Sequence, residues 1–325
     1  MTMNDWRPGA SPDALLARAQ LLRQIRAFFS ARDVLEVETP MLGRYGVTDP
    51  AIEPLRAGHA GTAAASEFLQ TSPEFFMKRL LAAGSGPIYQ LGRAFRAGES
   101  GLRHNPEFTL LEWYRPGFDL PALMSEVEDL LLECLSAAGN ACPPVEHLSY
   151  VQAFLDSVGL NPHRANEKEL MLAAEQVTDT AGLVLDRDGW LDLLMTHAIE
   201  PALRSRGLVF VYDYPASQAA LARCYERNGT RVADRFEAYL DGMELANGYR
   251  ELLDADEHVV RAERDNRVRQ AMGTEERELD PRLLDALASG LPDCSGVALG
   301  VDRLLMRILD VRALDEVLAF SWERR

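Results

Sequence analysis

The sequence has no apolar run near the ~20 residues that a bilayer-spanning helix needs. Its start, MTMNDWRPGASPD, lacks the basic-then-apolar pattern of an export signal. Four cysteines, Cys134, Cys142, Cys224 and Cys294, are scattered without a CxxC pair. That spacing argues against a disulfide frame or a zinc site and suits reduced thiols, so the expected setting is cytoplasmic, with no membrane partner. Basic residues are also scarce, 34 against 50 acids, for a net charge of -16. Extensive nucleic-acid binding needs a positive footprint to replace condensed counterions, which leaves room for a local basic patch at most. The chain shows no internal repeat and no low-complexity segment. What remains is 325 residues, 47% hydrophobic, enough for a sizeable core.

The elements can be read in order. Ser11-Pro12-Asp13 supplies a capping hydroxyl, a first-turn proline and an acid. Leu15, Ala19, Leu22, Ile25, Phe28 and Phe29 then form one helical stripe, ending near Ala31. Residues 34–39 read as a strand stopped by Pro40, GRYGVTDPAIEP as a loop, 68–71 as a short strand, and SPEFFMKRLLAAG as a helix. Residues 87–91 and 108–114 read as the strands of a long hairpin. A mainly helical insertion is expected at about 120–206. LVFVYDYP is a buried strand broken at Pro215, and DRFEAYLDGMELANG is a hairpin turning on Asp241-Gly242. A charged helix is expected over roughly 249–272, and VALGVD runs from a strand into the helix RLLMRILD. The acids of EVEDLLLE and DADEHVVRAERD read as solvated helix faces. The whole predicts one domain over 1–325, an α/β (α+β type) fold with a mainly antiparallel sheet flanked by helices, rather than a doubly wound Rossmann domain.

Four places concentrate chemistry. In strand 108–114, Phe108, Leu110, Glu112 and Tyr114 share one face and Thr109, Leu111 and Trp113 the other. Arg96, Glu99, Arg103, His104 and Glu107 lie just upstream, so the strand is either a solvated edge or the wall of a cleft for a charged ligand. Arg96 could grip phosphate bidentately, and Phe108 offers a flat face for a base or is simply core. In the hairpin, the turn pairs Leu240 with Met243, Tyr239 with Glu244 and Glu237 with Ala246. Glu237 and Glu244 then become diagonal neighbours on one face. Mg²⁺ between them, or an exposed polar face partnered by Arg235, would relieve their repulsion. Asn247-Gly248 is expected to interrupt the strand and to bring Glu251 toward the same cleft. There Glu251 suits an amine, or is a helix-start acid. Last, Gly296, Ala298 and Gly300 leave a bare strand face. Arg303 follows in a first helical turn, where the dipole opposes a cation by roughly 0.3–1 kcal/mol and a phosphate would reverse the penalty. The other reading pairs Arg303 with Asp302 or another acid.

Together these features resemble the signature motifs of the class II aminoacyl-tRNA synthetases. The helix and strand ending at Pro40 look like motif 1, FRAGESGLRHNPEF like motif 2 and GVALGVDR like motif 3. TSPEFFMKR and FEAYLDGMELANGYREL are similar to lysine-pocket and metal-site segments of the lysyl branch. The likeness spans about residues 12–320, and HNPEF, ELANG and GVDR are highly specific in combination. Lysyl-tRNA synthetases carry an anticodon-binding domain before the catalytic one. Here motif 1 begins almost at the amino terminus, so that domain is expected to be missing. A stand-alone lysyl-type catalytic domain resembles the elongation factor P lysine ligase family. Its members activate (R)-β-lysine with ATP and attach it to a lysine side chain of that factor. The acidic composition agrees with a protein acceptor and with no tRNA.

The resemblance implies ATP and Mg²⁺ as cofactors, a homodimer built on motif 1, and a set of residue roles. Arg96 and Arg303 would be catalytic, holding the α- and γ-phosphates. Ala97, Gly98, Glu99, His104, Asn105, Phe108, Glu244, Leu245 and Gly300 would complete the ATP site, Phe108 by stacking on adenine. Glu237 and Glu244 would coordinate Mg²⁺. Ser72, Pro73, Glu74, Glu112, Tyr114, Asn247, Glu251 and Ala298 would surround the diamino acid. Two positions depart from the pattern. Gly98 stands where the family often has an acid, with Glu99 next to it. Ala298 stands where lysyl-tRNA synthetases have glycine, and its methyl would bias the pocket toward β-lysine by about 1–3 kcal/mol. Rival readings are a truncated synthetase-like enzyme serving tRNA or a carrier protein, and an inactive regulatory paralogue.

Overall fold

The computed structural model describes residues 6–58 and 67–325. Helix α1 (Pro12–Ser30) starts as its sequence dictates, with Ser11 Oγ accepting from the Ala14 N–H at 3.1 Å and Asp13 in the first turn. Strand β1 (Leu35–Glu36) is shorter than 34–39, because only these two residues find ladder partners before the chain leaves toward Pro40. Strands β2 (Leu42–Gly43), β3 (Arg56–Ala57) and β4 (Glu67–Leu69) form a small separate sheet. Helix α2 (Glu74–Ala82) leads to β5 (Ile88–Phe95) and β6 (Glu107–Pro116), the long hairpin, paired from Ile88–Tyr114 to Phe95–Glu107.

Helix α3 (Leu120–Ala137) follows, and the stretch 120–206 is mainly but not wholly helical. The segment contains β7 (Val145–Ser149), whose five residues VEHLS alternate too weakly to announce a strand. It pairs in parallel with the open edge of β8 (Leu208–Pro215), so a tertiary partner selects it. Between them lie α4 (Tyr150–Val158), α5 (Glu167–Ala174), α6 (Arg187–Leu194) and, after a wide turn at Met195–Ile199, α7 (Glu200–Leu203). Next come β9 (Cys224–Arg227), β10 (Thr230–Leu240) and β11 (Met243–Arg250). The charged helix α8 (Ala255–Ala271) begins later than position 249, because β11 runs unbroken to Arg250. Helix α9 (Pro281–Gly290), β12 (Cys294–Gly300) and α10 (Val301–Ile308) complete the order.

Among the described residues the large sheet has nine strands in the order β1-β5-β6-β12-β11-β10-β8-β7, with β9 on the first part of β10. Every pair is antiparallel except β1 with β5 and β7 with β8. Registers align residues in rows across the strands. Leu91, Leu111, Leu299, Ala246, Ala238 and Phe210 form one row, and Tyr89, Trp113, Val297, Gly248 and Phe236 lie in the next row on the same face. That face packs on α1, α3 and α10 as the main core. The opposite face carries the row Gln90, Glu112, Ala298, Asn247 and Glu237. Apolar clusters cover this second face at both ends. Tyr114 and Ile88 pack with α2 and α9 at one end, and Val209, Val211 and Tyr239 with the α4–α7 helices at the other. The uncovered middle is a cleft floored by polar and small residues.

Two expectations about this face change. The Asp241-Gly242 turn pairs Leu240 with Met243 and Tyr239 with Glu244, but a bulge at Leu245 then shifts the register. Glu237 therefore faces Asn247 and not Ala246. Asn247-Gly248 does not interrupt the strand. Gly248 stays in the ladder because the Phe236 ring occupies the space that a Cβ would need. The acids of EVEDLLLE are not all solvated either. Glu126 is buried, accepting from the Trp113 indole at 3.0 Å beside Arg115.

Candidate active site

The cleft holds a cavity of about 490 Å³. At its inner end, β6 aims Glu112 and Tyr114 inward because they alternate with the core residues Leu111 and Trp113. Ser72 Oγ donates to Glu112 Oε2 at 2.6 Å, and the Tyr114 hydroxyl donates to Oε1 at 2.8 Å. Burial, reinforced by Glu74, pushes the Glu112 carboxyl up to about 8 against those two donors. Ser72 also accepts from the Glu74 N–H at 3.0 Å, taking the capping role that Pro73 cannot fill at the start of α2. Glu251, placed just beyond β11, is 1% exposed. Gly296 must lack a side chain, since a Cβ there would overlap the Tyr114 ring and lie 2.6 Å from Glu251 Oε1.

Lys78, one turn along α2 from Glu74, is fully buried between two of these acids. Its Nζ lies 2.6 Å from Glu74 Oε1 and 2.8 Å from Glu251 Oε2. Burial works against the ammonium, but Glu251 and Glu74 outweigh it and raise the lysine above its ordinary range. The sequence reading counted three acids here and missed this cation. Its signal was present as an i,i+4 Glu–Lys pair in SPEFFMK.

The outer end is cationic. Arg96 follows β5, stands 5.1 Å over the Phe108 ring and lies 3.7 Å from Glu99. Arg303, in the first turn of α10, donates to the Glu244 carbonyl at 3.0 Å and its carboxylate at 3.3 Å. It also approaches His104 Nε2 at 2.7 Å, so that nitrogen carries the lone pair. Burial and Arg303 both lower the His104 pKa, in keeping with a neutral ring. Asp302 does not pair with Arg303. It takes Arg18 of α1 at 2.5 Å and the Thr109 N–H at 2.7 Å, tying the start of α10 to the first helix.

Glu237 lies behind Glu244, outside the cavity lining. Arg235 donates to its Oε1 at 2.5 Å, while Tyr214, at 2.7 Å, and Tyr239 both donate to Oε2. Oε1 retains a lone pair, and among the described residues Glu244 has only the Arg303 contact and no group of three or more His, Cys, Asp or Glu side chains is gathered for a metal, so the pair fits a hard cation that takes its other ligands from phosphate and water. Burial and Glu237 raise the Glu244 pKa. Glu200, which no local pattern in the sequence marks, joins this group through α7. Burial, then Glu244 and Glu237, push its carboxyl up to about 7.

Most of the expected residues converge on the cavity. Ser72, Glu74, Glu112, Tyr114, Asn247, Glu251 and Ala298 line its inner part, and Arg96, Glu99, His104, Asn105, Phe108, Glu244, Leu245, Gly300 and Arg303 its outer part. Pro73, Ala97 and Gly98 stay off its surface, as chain between lining residues. Asn105 reaches the wall with its carboxamide engaged, donating to the Glu107 carbonyl at 2.5 Å and accepting from the Trp322 N–H at 2.8 Å.

A family model for tRNA synthetases class II (D, K and N) matches residues 3–324. The chain is 49% identical over 322 residues to the elongation factor P–(R)-beta-lysine ligase of Pasteurella multocida, covering 98% of both chains. It is 50% identical over 321 residues to the protein of that name from Proteus mirabilis, covering 97% of both. For the one from Salmonella typhi the identity is 48% over 324 residues, covering 98% of both.

Proposed function

We propose a function from the premise that this chain belongs to the class II tRNA synthetase family (D, K and N) and, within it, to the elongation factor P–(R)-β-lysine ligases. It activates (R)-β-lysine with ATP as the aminoacyl-adenylate and transfers the β-lysyl group to a lysine side chain of elongation factor P. The observation that carries this reading is the polarity of the cavity. Its inner end gathers Glu74, Glu112 and Glu251, and its outer end Arg96 and Arg303. A diamino acid placed with both ammonium groups inward turns its carboxylate toward the arginines, where the triphosphate belongs.

The chemistry needs positioning and charge more than proton transfer. The substrate carboxylate oxygen attacks the α-phosphorus, the bond to the bridging oxygen breaks, and pyrophosphate leaves. Arg96 stabilises the α-phosphate and Arg303 the γ-phosphate, with Phe108 under the adenine and Leu245 and Gly300 beside the nucleotide. Glu244, with the remaining lone pair of Glu237, would hold Mg²⁺, which when bound neutralises phosphate oxygens. The acceptor's ε-amine then attacks the carbonyl carbon of the mixed anhydride, and AMP leaves.

The Ala298 methyl lies in the floor row between Glu112 and Asn247, where it narrows the space near the substrate amine. This supports β-lysine over α-lysine by about 1–3 kcal/mol. A homodimer through α1 and β1 accords with the exposed Leu15, Leu16 and Leu35 there, and sedimentation equilibrium should give twice 36.1 kDa. No helix of the described residues is long and apolar enough to cross a membrane, in keeping with a cytoplasmic enzyme acting on a translation factor. Pyrophosphate exchange into ATP tests the activation step. It should depend on (R)-β-lysine and run faster with it than with α-lysine. Exchange that is blind to both isomers would overturn the assignment.

A further inference from the structure

The buried Lys78 touches none of the reacting groups assigned above, yet it sits inside the amine pocket. Lys78 donates to Oε1 of Glu74 and forms an ion pair with Oε2 of Glu251, a buried oxygen without a hydrogen-bond partner, and the other oxygen of each carboxylate carries no hydrogen bond among the described residues. Each acid thus keeps one oxygen for a ligand while the ammonium fixes where that oxygen points. We propose that Lys78 is a specificity-determining positioning residue, an internal counter-cation that holds Glu74 and Glu251 in place against their mutual repulsion and leaves two carboxylate charges for two substrate ammonium groups. The inference rests on the diamino acid reading above.

The charge count supports it. Three acids face the pocket, Glu74 from α2, Glu112 from β6 and Glu251 beyond β11. One is cancelled by Lys78, and two remain for the two ammonium groups. Burial raises the carboxyls of Glu112, to about 8, and of Glu251, to about 7 in spite of Lys78, so both acids gain from an arriving ammonium. The other ionisable groups around the cluster add no charge. His258 of α8 is held neutral by burial and by Lys78, at about 4. The Cys294 thiol of β12 is pushed up to about 12 by burial. Burial likewise raises the phenols of Tyr114 and Tyr249. Arg223 donates to the backbone carbonyl of Glu251 and pairs with Asp293 outside the pocket.

Without Lys78, Glu74 and Glu251 would repel, and the partly exposed Glu74 would swing out or take a proton. Either change removes an acceptor set for the substrate. In Lys78→Met, pyrophosphate exchange should show KM for (R)-β-lysine raised at least about tenfold. kcat and KM for ATP should stay within about threefold, because Lys78 contacts neither the phosphate groups nor the attacking carboxylate. Adding Glu74→Gln removes the repulsion and supplies an amide donor to Glu251. The double variant should therefore recover part of the lost affinity, and Lys78→Met should cost less than about threefold in the Glu74→Gln background. That background comparison also decides the matter if the single variant does not fold. An unmoved KM, or penalties that simply add, would overturn the role of Lys78 while leaving the ligase reading standing. A wild-type protein with no β-lysine-dependent exchange would overturn both.

Discussion

On the proposed function Glu112 trades stability for recognition. Its carboxyl lies at about 8 in the folded chain, against 4.5 for the free group. An acid raised by folding contributes fully below its unfolded pKa, and the contribution is lost as pH rises through the folded one. Wild-type stability should therefore fall between about pH 5 and pH 9 by an amount that Glu112→Gln removes, on the order of a few kcal/mol. Urea unfolding at both ends of that range should show the variant level with wild type in acid and more stable in alkali, with weakened β-lysine binding. Equal stability at the alkaline end would show that Glu112 is not strained. The identity of this residue was legible because strict alternation over 108–114 fixed its face. Lys78, Glu200 and the Arg18–Asp302 pair were not legible as site groups. Each acts on at least one partner brought to it only by packing, as Lys78 meets Glu251 and as Asp302 meets a partner 284 positions away.

At the scale of elements, the β10–β11 hairpin carries Glu237, Glu244 and Asn247 and hands the chain on to Glu251. Its turn needs two left-handed residues, Asp241 at φ 49° and Gly242 at φ 71°. A Cβ on Gly242 would also strike the Glu200 carbonyl. Gly242→Ala should therefore cost more than ~2 kcal/mol, because positive φ and a backbone clash act together. It should also lower turnover, since Glu244 stands two residues on. A denaturation midpoint within error of wild type would show that the turn tolerates a side chain. Such turns, the capped start of α1 and the alternating strands are written locally, which is why sequence alone gave them. The bulge at Leu245 and the strand β7 are not written locally. The first is chosen by how two faces must pack, and the second by the unpaired edge of β8.

At the scale of the molecule, the net charge of -16 sits on a chain whose family relatives by fold are tRNA synthetases. A polyanionic tRNA finds little long-range attraction in such a surface, whereas a protein acceptor needs only a local fit around one lysine. On the proposed function the fold and most of the cavity lining serve activation whatever the acceptor is, so the central claim turns on where the acyl group goes. Intact-mass measurement of purified elongation factor P, after incubation with this protein, ATP and (R)-β-lysine in the presence of tRNA, tests it most directly. The factor should gain one β-lysyl group, only when ATP is present, while the tRNA stays uncharged. An unmodified factor beside acylated tRNA would contradict the account.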